Sequence, residues 1–308
     1  MTKPISILGI FVADLTFRSD RMPRQGETLI GNAFKFGPGG KGSNQAVATR
    51  RAGAETRFIT KIGQDDFGEM ALKMYADEGI DSSYVWRIPE KATGAAAILV
   101  DDATGDNAII VVPGAADALR PEDMDAAEQG IVESIAFLAS LEVPIPTMQR
   151  GLEIAKQNGV TTILNPAPAA ELPDAVYQLS DYFTPNETEA AMLTGMPVAT
   201  EEQAEVAAIR LLQRGVQTVI ITLGEKGAYV CNSEVRQSIP SFDMGDRVVE
   251  TTGAGDAFNG GFVRALAEGQ PLIEAVRFGS ATAALSVTGY GTAPSMPTEK
   301  EIRALLAS

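Results

Sequence analysis

Between Pro121 and Thr222, continuous apolar runs and stretches of helical spacing take turns along the chain. Pro121–Gln129 reads as a helix and Ile135–Ala139 as a strand, and Pro146–Asn158 with Val160–Leu164 repeats the pair. Tyr182–Thr184 is a strand before the helix Glu187–Thr194, and the helix Glu201–Arg214 precedes the strand Thr218–Thr222. Strands that are apolar throughout need cover on both faces. The pattern therefore predicts an α/β three-layer sandwich with a mainly parallel central sheet. Helices starting near Asp256, Pro271 and Pro297 complete it, the first two rich in Ala and Gly for close packing.

The first hundred residues begin the same way. Ile5–Ile10 is a buried strand, and Gly37–Pro38–Gly39–Gly40 is a turn cluster opening a helix through Ala52, with Gly53 as its stop. Arg57–Ile62 reads as a strand and Phe67–Glu78 as a helix. Two regions break the alternation. Glu27–Phe36 is extended, and Ala95–Val100 and Asn107–Val112 flank Asp101–Asp106 as a hairpin. They predict a small β-sheet, built from insertions at about 11–36 and 95–112, on a single catalytic-size domain spanning 1–308.

Composition narrows the chemistry. The 308 residues are 45% hydrophobic, enough for a large core. The formal charge of −15 disfavours general binding to nucleic acid or anionic membrane. No apolar stretch reaches membrane-spanning length, and Met1–Thr2–Lys3–Pro4 runs into the first strand without a secretory pattern. Cys231 is the only cysteine, which excludes an internal disulfide and a thiolate zinc cluster. Together these features point to the cytoplasm. Histidine is absent, so acid–base work falls to carboxylates, Lys, Tyr or water.

Glu250–Thr251–Thr252–Gly253–Ala254–Gly255–Asp256 is the most informative stretch. Small residues let successive backbone N–H groups converge at a helix start, which makes an anion site. A carboxylate placed there is either a helix N-cap or a base that takes a proton from a hydroxyl beside a bound phosphoryl group. Gly39–Gly40–Lys41–Gly42–Ser43–Asn44 is a second Gly-rich helix entry. It is either a flexible turn or a place where backbone approaches a polyhydroxyl ligand; the spacing matches neither nucleotide-loop pattern. In α/β sheets ligands sit beyond the carboxyl ends of strands, and Asp14, Glu142, Asn165, Asn186 and Gly224 fall there.

The two Gly-rich stretches, continued through Gln45–Ala46 and Ala257–Phe258–Asn259–Gly260, resemble the paired signatures of the ribokinase-like carbohydrate kinases. Asn165–Pro166–Ala167–Pro168–Ala169 and Thr184–Pro185–Asn186–Glu187–Thr188–Glu189–Ala190 lie between them in the family order, and the resemblance runs from Ile5 to about Leu306. It implies an ATP-dependent kinase that phosphorylates a pentose at its primary hydroxyl, D-ribose first. Deoxyribose, another sugar or a nucleoside is the alternative substrate. A non-catalytic sugar-binding regulator is the rival from another class, and intact Asp256 and Gly253–Gly255 oppose it.

The resemblance also implies roles. Asp256 is the base, and Gly253, Ala254 and Gly255 form the anion hole. Asp14, Gly39, Gly40, Lys41, Asn44 and Glu142 hold the sugar. Asn186, Thr222, Gly224 and Gly255 border the nucleotide, and Glu189 orders a hydrated Mg²⁺. Glu250, Thr252, Ser286, Gly291 and Ser295 surround an activating K⁺. The small sheet is a lid whose strands pair into a homodimer. Two residues depart from the family pattern. Val12 stands where ribose-phosphorylating members have Asn, and it can neither donate nor accept a hydrogen bond. A ribose hydroxyl deprived of its partner there costs about 1–3 kcal/mol, whereas an absent hydroxyl costs nothing. Glu250 replaces the usual Asp, keeping the charge but lengthening the side chain.

Overall fold

The computed structural model describes residues 3–308; Met1 and Thr2, where the expectation of no secretory segment begins, lie outside the described residues. The first part of the chain contains β1 (Ile5–Leu8), β2 (Val12–Ser19), β3 (Ala33–Gly39), α1 (Lys41–Arg51) and β4 (Thr56–Gly63). It continues through α2 (Asp66–Glu78), β5 (Asp81–Ile88), β6 (Thr93–Asp101) and β7 (Asn107–Gly114). Then come α3 (Pro121–Ala126), α4 (Glu128–Val132), β8 (Ala136–Ser140), α5 (Ile145–Gln157), β9 (Thr161–Asn165) and α6 (Asp174–Leu179). β10 (Tyr182–Phe183), α7 (Glu187–Thr194), α8 (Glu201–Gln213), β11 (Thr218–Thr222), β12 (Ala228–Cys231) and β13 (Arg236–Ile239) follow. The chain ends in α9 (Ala254–Ala267), α10 (Leu272–Ser286) and α11 (Glu299–Leu306).

The nine-stranded sheet has the order β13-β12-β11-β10-β9-β8-β1-β4-β5. It is parallel except where β12 runs antiparallel to β11 and β13. Alternate strand residues feed cores on opposite faces of the sheet, and a third cluster joins Ile220 and Val230 to α10 and α11. Leu8, Phe137, Ala139 and Leu164 pack with α3 to α8, whereas Ile5, Ile7, Phe58 and Leu138 pack with α1, α2 and α9. β1 lies between β4 and β8, so the chain turns away in opposite directions on its two sides. Such a reversal makes the carboxyl edge of the sheet the expected side for a ligand.

Helix packing sets the geometry of that edge. A Cβ on Gly260 of α9 would lie 3.0 Å from the carbonyl oxygen of Gln45 and 2.8 Å from the nitrogen of Thr49, both in α1. With no side chain in the way, the backbones of α9 and α1 approach closely and their N-termini meet over the same part of the sheet.

A separate four-stranded sheet, β3-β2-β6-β7, rises from this edge. β2 is antiparallel to β3 and parallel to β6, and β6 is antiparallel to β7. Phe17 and Phe34 are a cross-strand pair with ring centroids 4.9 Å apart, both well exposed. Ile110 and Val112 on the outer strand β7 are exposed too, at 70% and 59%.

Several elements differ from the pattern-based expectation. The strand expected from Glu27 begins only at Ala33 and runs on to Gly39, through the residues read as a turn. Pro38 is tolerated because β3 is an edge strand and needs no amide donor on its open side. β1 ends at Leu8 rather than Ile10, and the expected helix 121–129 is two short helices meeting at Ala127. β5, α6, β12 and β13 are additional elements.

Candidate active site

Three helix N-termini and the ends of three strands converge on a cleft of about 120 Å³. Its walls include Lys41 of α1, Asn165 after β9, Thr184 and Asn186 after β10, and Thr222 of β11. Glu189 of α7 and Gly253, Gly255, Asp256 and Asn259 at the start of α9 close it.

Asp256 is buried and doubly held. Its Oδ2 accepts from Asn44 Nδ2 at 3.0 Å and its Oδ1 from Gln45 Nε2 at 3.2 Å. Burial raises its carboxyl above the ordinary range, while the Lys41 ammonium and the two amides oppose that rise. Lys41 is held charged, chiefly by Asp256. An α-helix leaves its first amides without intrahelical partners. Here the Ala254 N–H turns back to the Thr251 carbonyl at 3.2 Å. Among the described residues no acceptor takes those of Gly255 and Asp256. The result is a carboxylate beside free N–H donors at a positive helix end, with an ammonium opposite.

The expected sugar residues gather on the other side of Lys41. Glu142 accepts from the backbone N–H of Lys41 at 2.8 Å and of Gly42 at 3.4 Å, so it caps α1. Burial, with Asp256 adding, pushes its carboxyl up to about 8. Asp14 lies directly on Gly39, where a Cβ would overlap its carboxylate. Gly40, with φ of +92°, allows the turn from β3 into α1, and a Cβ there would strike the Ile10 carbonyl. Burial and then the charges of Asp256 and Glu250 push Asp14 up to about 6. Asn44 Oδ1 is buried and has no partner among the described residues. Val12 is in the core, its neighbours across the small sheet being Gly39 and Gly94, with Ala96 opposite Asp14. None of these brings a hydrogen-bonding side chain to the Val12 position.

Asn186 and Glu189 form a reciprocal cap on α7, Asn186 Oδ1 accepting from Glu189 N at 2.8 Å and Glu189 Oε2 from Asn186 N at 2.9 Å. Burial raises the Glu189 carboxyl. Gly224 sits in the turn after β11, where an added Cβ would meet open space. The expected cation residues lie on two adjoining loops. Glu250 Oε2 accepts from Gly291 N at 2.9 Å, and the Glu250 and Val249 amides donate to Val287. Thr252 is in the exposed turn into α9, while Ser286 Oγ donates to Ala283 and Ser295 Oγ to Thr292. Gln45, Thr184 and Asn259 were not anticipated as site residues. The signal that existed was their place inside the Gly-rich and strand-end motifs.

The pfkB family carbohydrate kinase profile matches residues 2–299. Ribokinase of Haemophilus influenzae is 42% identical over 301 residues, covering 98% of this chain and 97% of that protein. Deoxyribokinase of Salmonella typhi is 37% identical over 304 residues, covering 98% of both. Among solved structures, Arabidopsis thaliana ribokinase complexed with ribose and ATP superposes with a TM-score of 0.94 at 31% identity, over the full length of both chains.

Proposed function

Because this chain belongs to the pfkB family of carbohydrate kinases, we propose that it transfers the terminal phosphoryl group of ATP to the primary hydroxyl of D-ribose, giving D-ribose 5-phosphate. The observation that carries the reading is Asp256: a buried carboxylate at the start of α9, beside amides without acceptors among the described residues and opposite Lys41. Likeness over the whole length to ribokinases supports the choice of sugar.

In this reading Asp256 takes the proton of the primary hydroxyl as its oxygen bonds to phosphorus and the bond from phosphorus to ADP breaks. The Gly253–Gly255 stretch receives the phosphoryl oxygens. Catalysis is then positioning plus electrostatic stabilisation by pre-set dipoles. Lys41 balances the charge of Asp256. Asp14, Gly39, Gly40, Asn44 and Glu142 hold the sugar, and the buried, unpaired Asn44 Oδ1 suits a hydroxyl donor. Asn186, Thr222 and Gly224 border the nucleotide.

The donor set fits Mg²⁺. Glu189 is a buried carboxylate on the cleft apart from Asp256, and no group of three or more metal-binding side chains occurs among the described residues. An ion that keeps its waters and takes further oxygens from phosphates needs no more. Glu189 and Asn186 would hold it, and it supplies neutralisation of phosphate charge. The K⁺ residues also fit. Glu250 ties its loop to Gly291, and the hydroxyl oxygens of Ser286 and Ser295 stay available as acceptors.

Sugar-dependent ADP formation, measured over a panel of pentoses and hexoses, tests the proposal. Sugar binding without ADP formation would leave the regulator reading instead. Deoxyribose is the second substrate, favoured by the apolar surroundings of Val12. Val12→Asn should shift the ratio of kcat/KM toward ribose. The small sheet would act as lid over the sugar. Exposed Phe17, Phe34, Ile110 and Val112, with the open edges of β3 and β7, support a homodimer paired through its strands, since exposed apolar side chains and open strand edges both gain from cover. No helix of the described residues is long and apolar enough to cross a membrane, and the kinase is proposed to act on free sugar in the cytoplasm.

A further inference from the structure

Four buried polar side chains behind Asp256 close into a ring with the Gly255 carbonyl. Gln45 Nε2 donates to Asp256 Oδ1 at 3.2 Å and to Asn165 Oδ1 at 3.0 Å. Asn165 Nδ2 donates to the Thr184 carbonyl at 3.0 Å, and Thr184 Oγ1 donates to Asn259 Oδ1 at 2.6 Å. Asn259 Nδ2 then donates to the Gly255 carbonyl at 2.8 Å, and the Gly255–Asp256 peptide bond completes the circle. Every member is nearly excluded from solvent apart from Gly255. The ring joins α1, β9, the end of β10 and the first turn of α9.

Its orientations are mutually enforced. Asn259 must point Nδ2 at the Gly255 carbonyl, so Oδ1 faces Thr184. Asn165 must point Nδ2 at the Thr184 carbonyl, so Oδ1 faces Gln45. Turned over, the Gln45 amide would set Oε1 against two acceptor oxygens. In the observed orientation Oε1 is buried without a partner among the described residues. A buried acceptor left unpaired is costly. Gln45 bears that cost while presenting its donor to Asp256. The ring holds two things at once, the Asp256 carboxylate and the Gly255 peptide plane, whose other side carries the Asp256 N–H.

We propose that this ring, with Gln45 and Thr184 as its positioning residues, fixes the base and the anion-site amide relative to each other. The inference rests on the kinase reading of Asp256. Gln45 and Thr184 act through Asp256 and Gly255, which places their effect on turnover rather than on sugar affinity. A displacement of about 1 Å at such a site lowers turnover on the order of 10²-fold.

The test compares wild type, Gln45→Met, Thr184→Val, Thr184→Ser and the Gln45→Met/Thr184→Val double variant. Readouts are kcat, sugar affinity by calorimetry, thermal melting and the pH dependence of kcat. Each apolar single variant should lose at least about 10-fold in kcat, with sugar affinity within about threefold. Thr184→Ser, which keeps the hydroxyl donor, should stay near wild type. The double variant should be no worse than the poorer single one, because one break already opens the ring. Gln45→Met should also move the acidic limb of kcat upward, since it removes a donor to the Asp256 carboxylate. Asp14, Lys41, Glu142 and Glu189 face Asp256 from the other elements and are unchanged in that variant. Folded Gln45→Met and Thr184→Val proteins with wild-type kcat overturn the proposal, as does Thr184→Ser falling as far as Thr184→Val. If one apolar variant fails to melt cooperatively, the other decides. Wild-type protein that forms no ADP with any sugar refutes the kinase reading itself and not the ring.

Discussion

Gly255→Ala separates the anion site from the fold. Gly255 is the second residue of α9, and a Cβ built on it meets no protein heavy atom within 4 Å. The added methyl group therefore enters the cleft without disturbing packing. Replacing Gly by Ala in a helix stabilises by up to about 1 kcal/mol. In a chain of this size that raises Tm by about 2 °C. If the transferred phosphoryl group lies over the Gly255 amide, the methyl displaces it by a large part of its own radius. Such misplacement lowers turnover on the order of 10²-fold, or about 2.7 kcal/mol in the barrier. Steady-state kinetics with ATP and sugar, run beside differential scanning fluorimetry, measures both halves. The expected variant is as stable as wild type and nearly inactive. Gly40→Ala is the control: its φ of +92° and the Ile10 carbonyl leave no room, so that variant loses stability as well. Gly255→Ala with kcat within about threefold of wild type would show that no phosphoryl oxygen comes near this amide, a result incompatible with the positioning cost above.

Asp256→Asn should keep sugar affinity in calorimetry yet lose at least about 10²-fold in kcat, the low end for a general base; near wild-type turnover would remove Asp256 from that role. Turnover should be faster with K⁺ than with tetramethylammonium at equal ionic strength, and Glu250→Ala, which frees the Gly291 amide, should abolish the difference; equal rates for wild type in both salts would reject the cation site. Asp14, raised from its usual 3.8 to about 6, stabilises the fold fully only below pH 4 and loses that contribution as pH rises through 6. Ligand-free Asp14→Asn should therefore be more stable than wild type at pH 7.5, by up to about 3 kcal/mol. The two should converge near pH 4, and the variant's KM for sugar should rise. Melting curves at the two pH values check this, and a variant less stable at both would mean that Asp14 is held by contacts other than its charge.

The elements most legible in the sequence were those buried on both sides. β8, β9 and β11 are short apolar runs, and their alternation with α5 and α8 is enough to imply the central sheet. β5 was invisible because it is the outer strand and starts Asp81–Ser82–Ser83, half exposed, with no apolar run. β12 and β13 are four residues each, too short for any period to register. β3 was misplaced because Gly37–Pro38–Gly39 is turn chemistry in isolation; only its place at the edge of the small sheet makes it strand.

The site divides along the same physical line. Residues proposed to act through backbone geometry or charge, such as Gly40, Gly253, Gly255 and Asp256, stand out because few structural needs put small residues and a carboxylate together. Gln45, Asn165, Thr184 and Asn259 carry neutral amides and hydroxyls, and each alone is an ordinary cap or core polar residue. Their meaning lies in closure, and closure depends on where the elements end in space. Gln45 and Asn259 are 214 positions apart in the chain. They join one ring because Gly260 has no side chain to hold α9 away from α1. A larger residue at 260 should therefore act at a distance. It would push the helices apart, lengthen the bond from Gln45 to Asp256, and lower kcat although it touches no substrate.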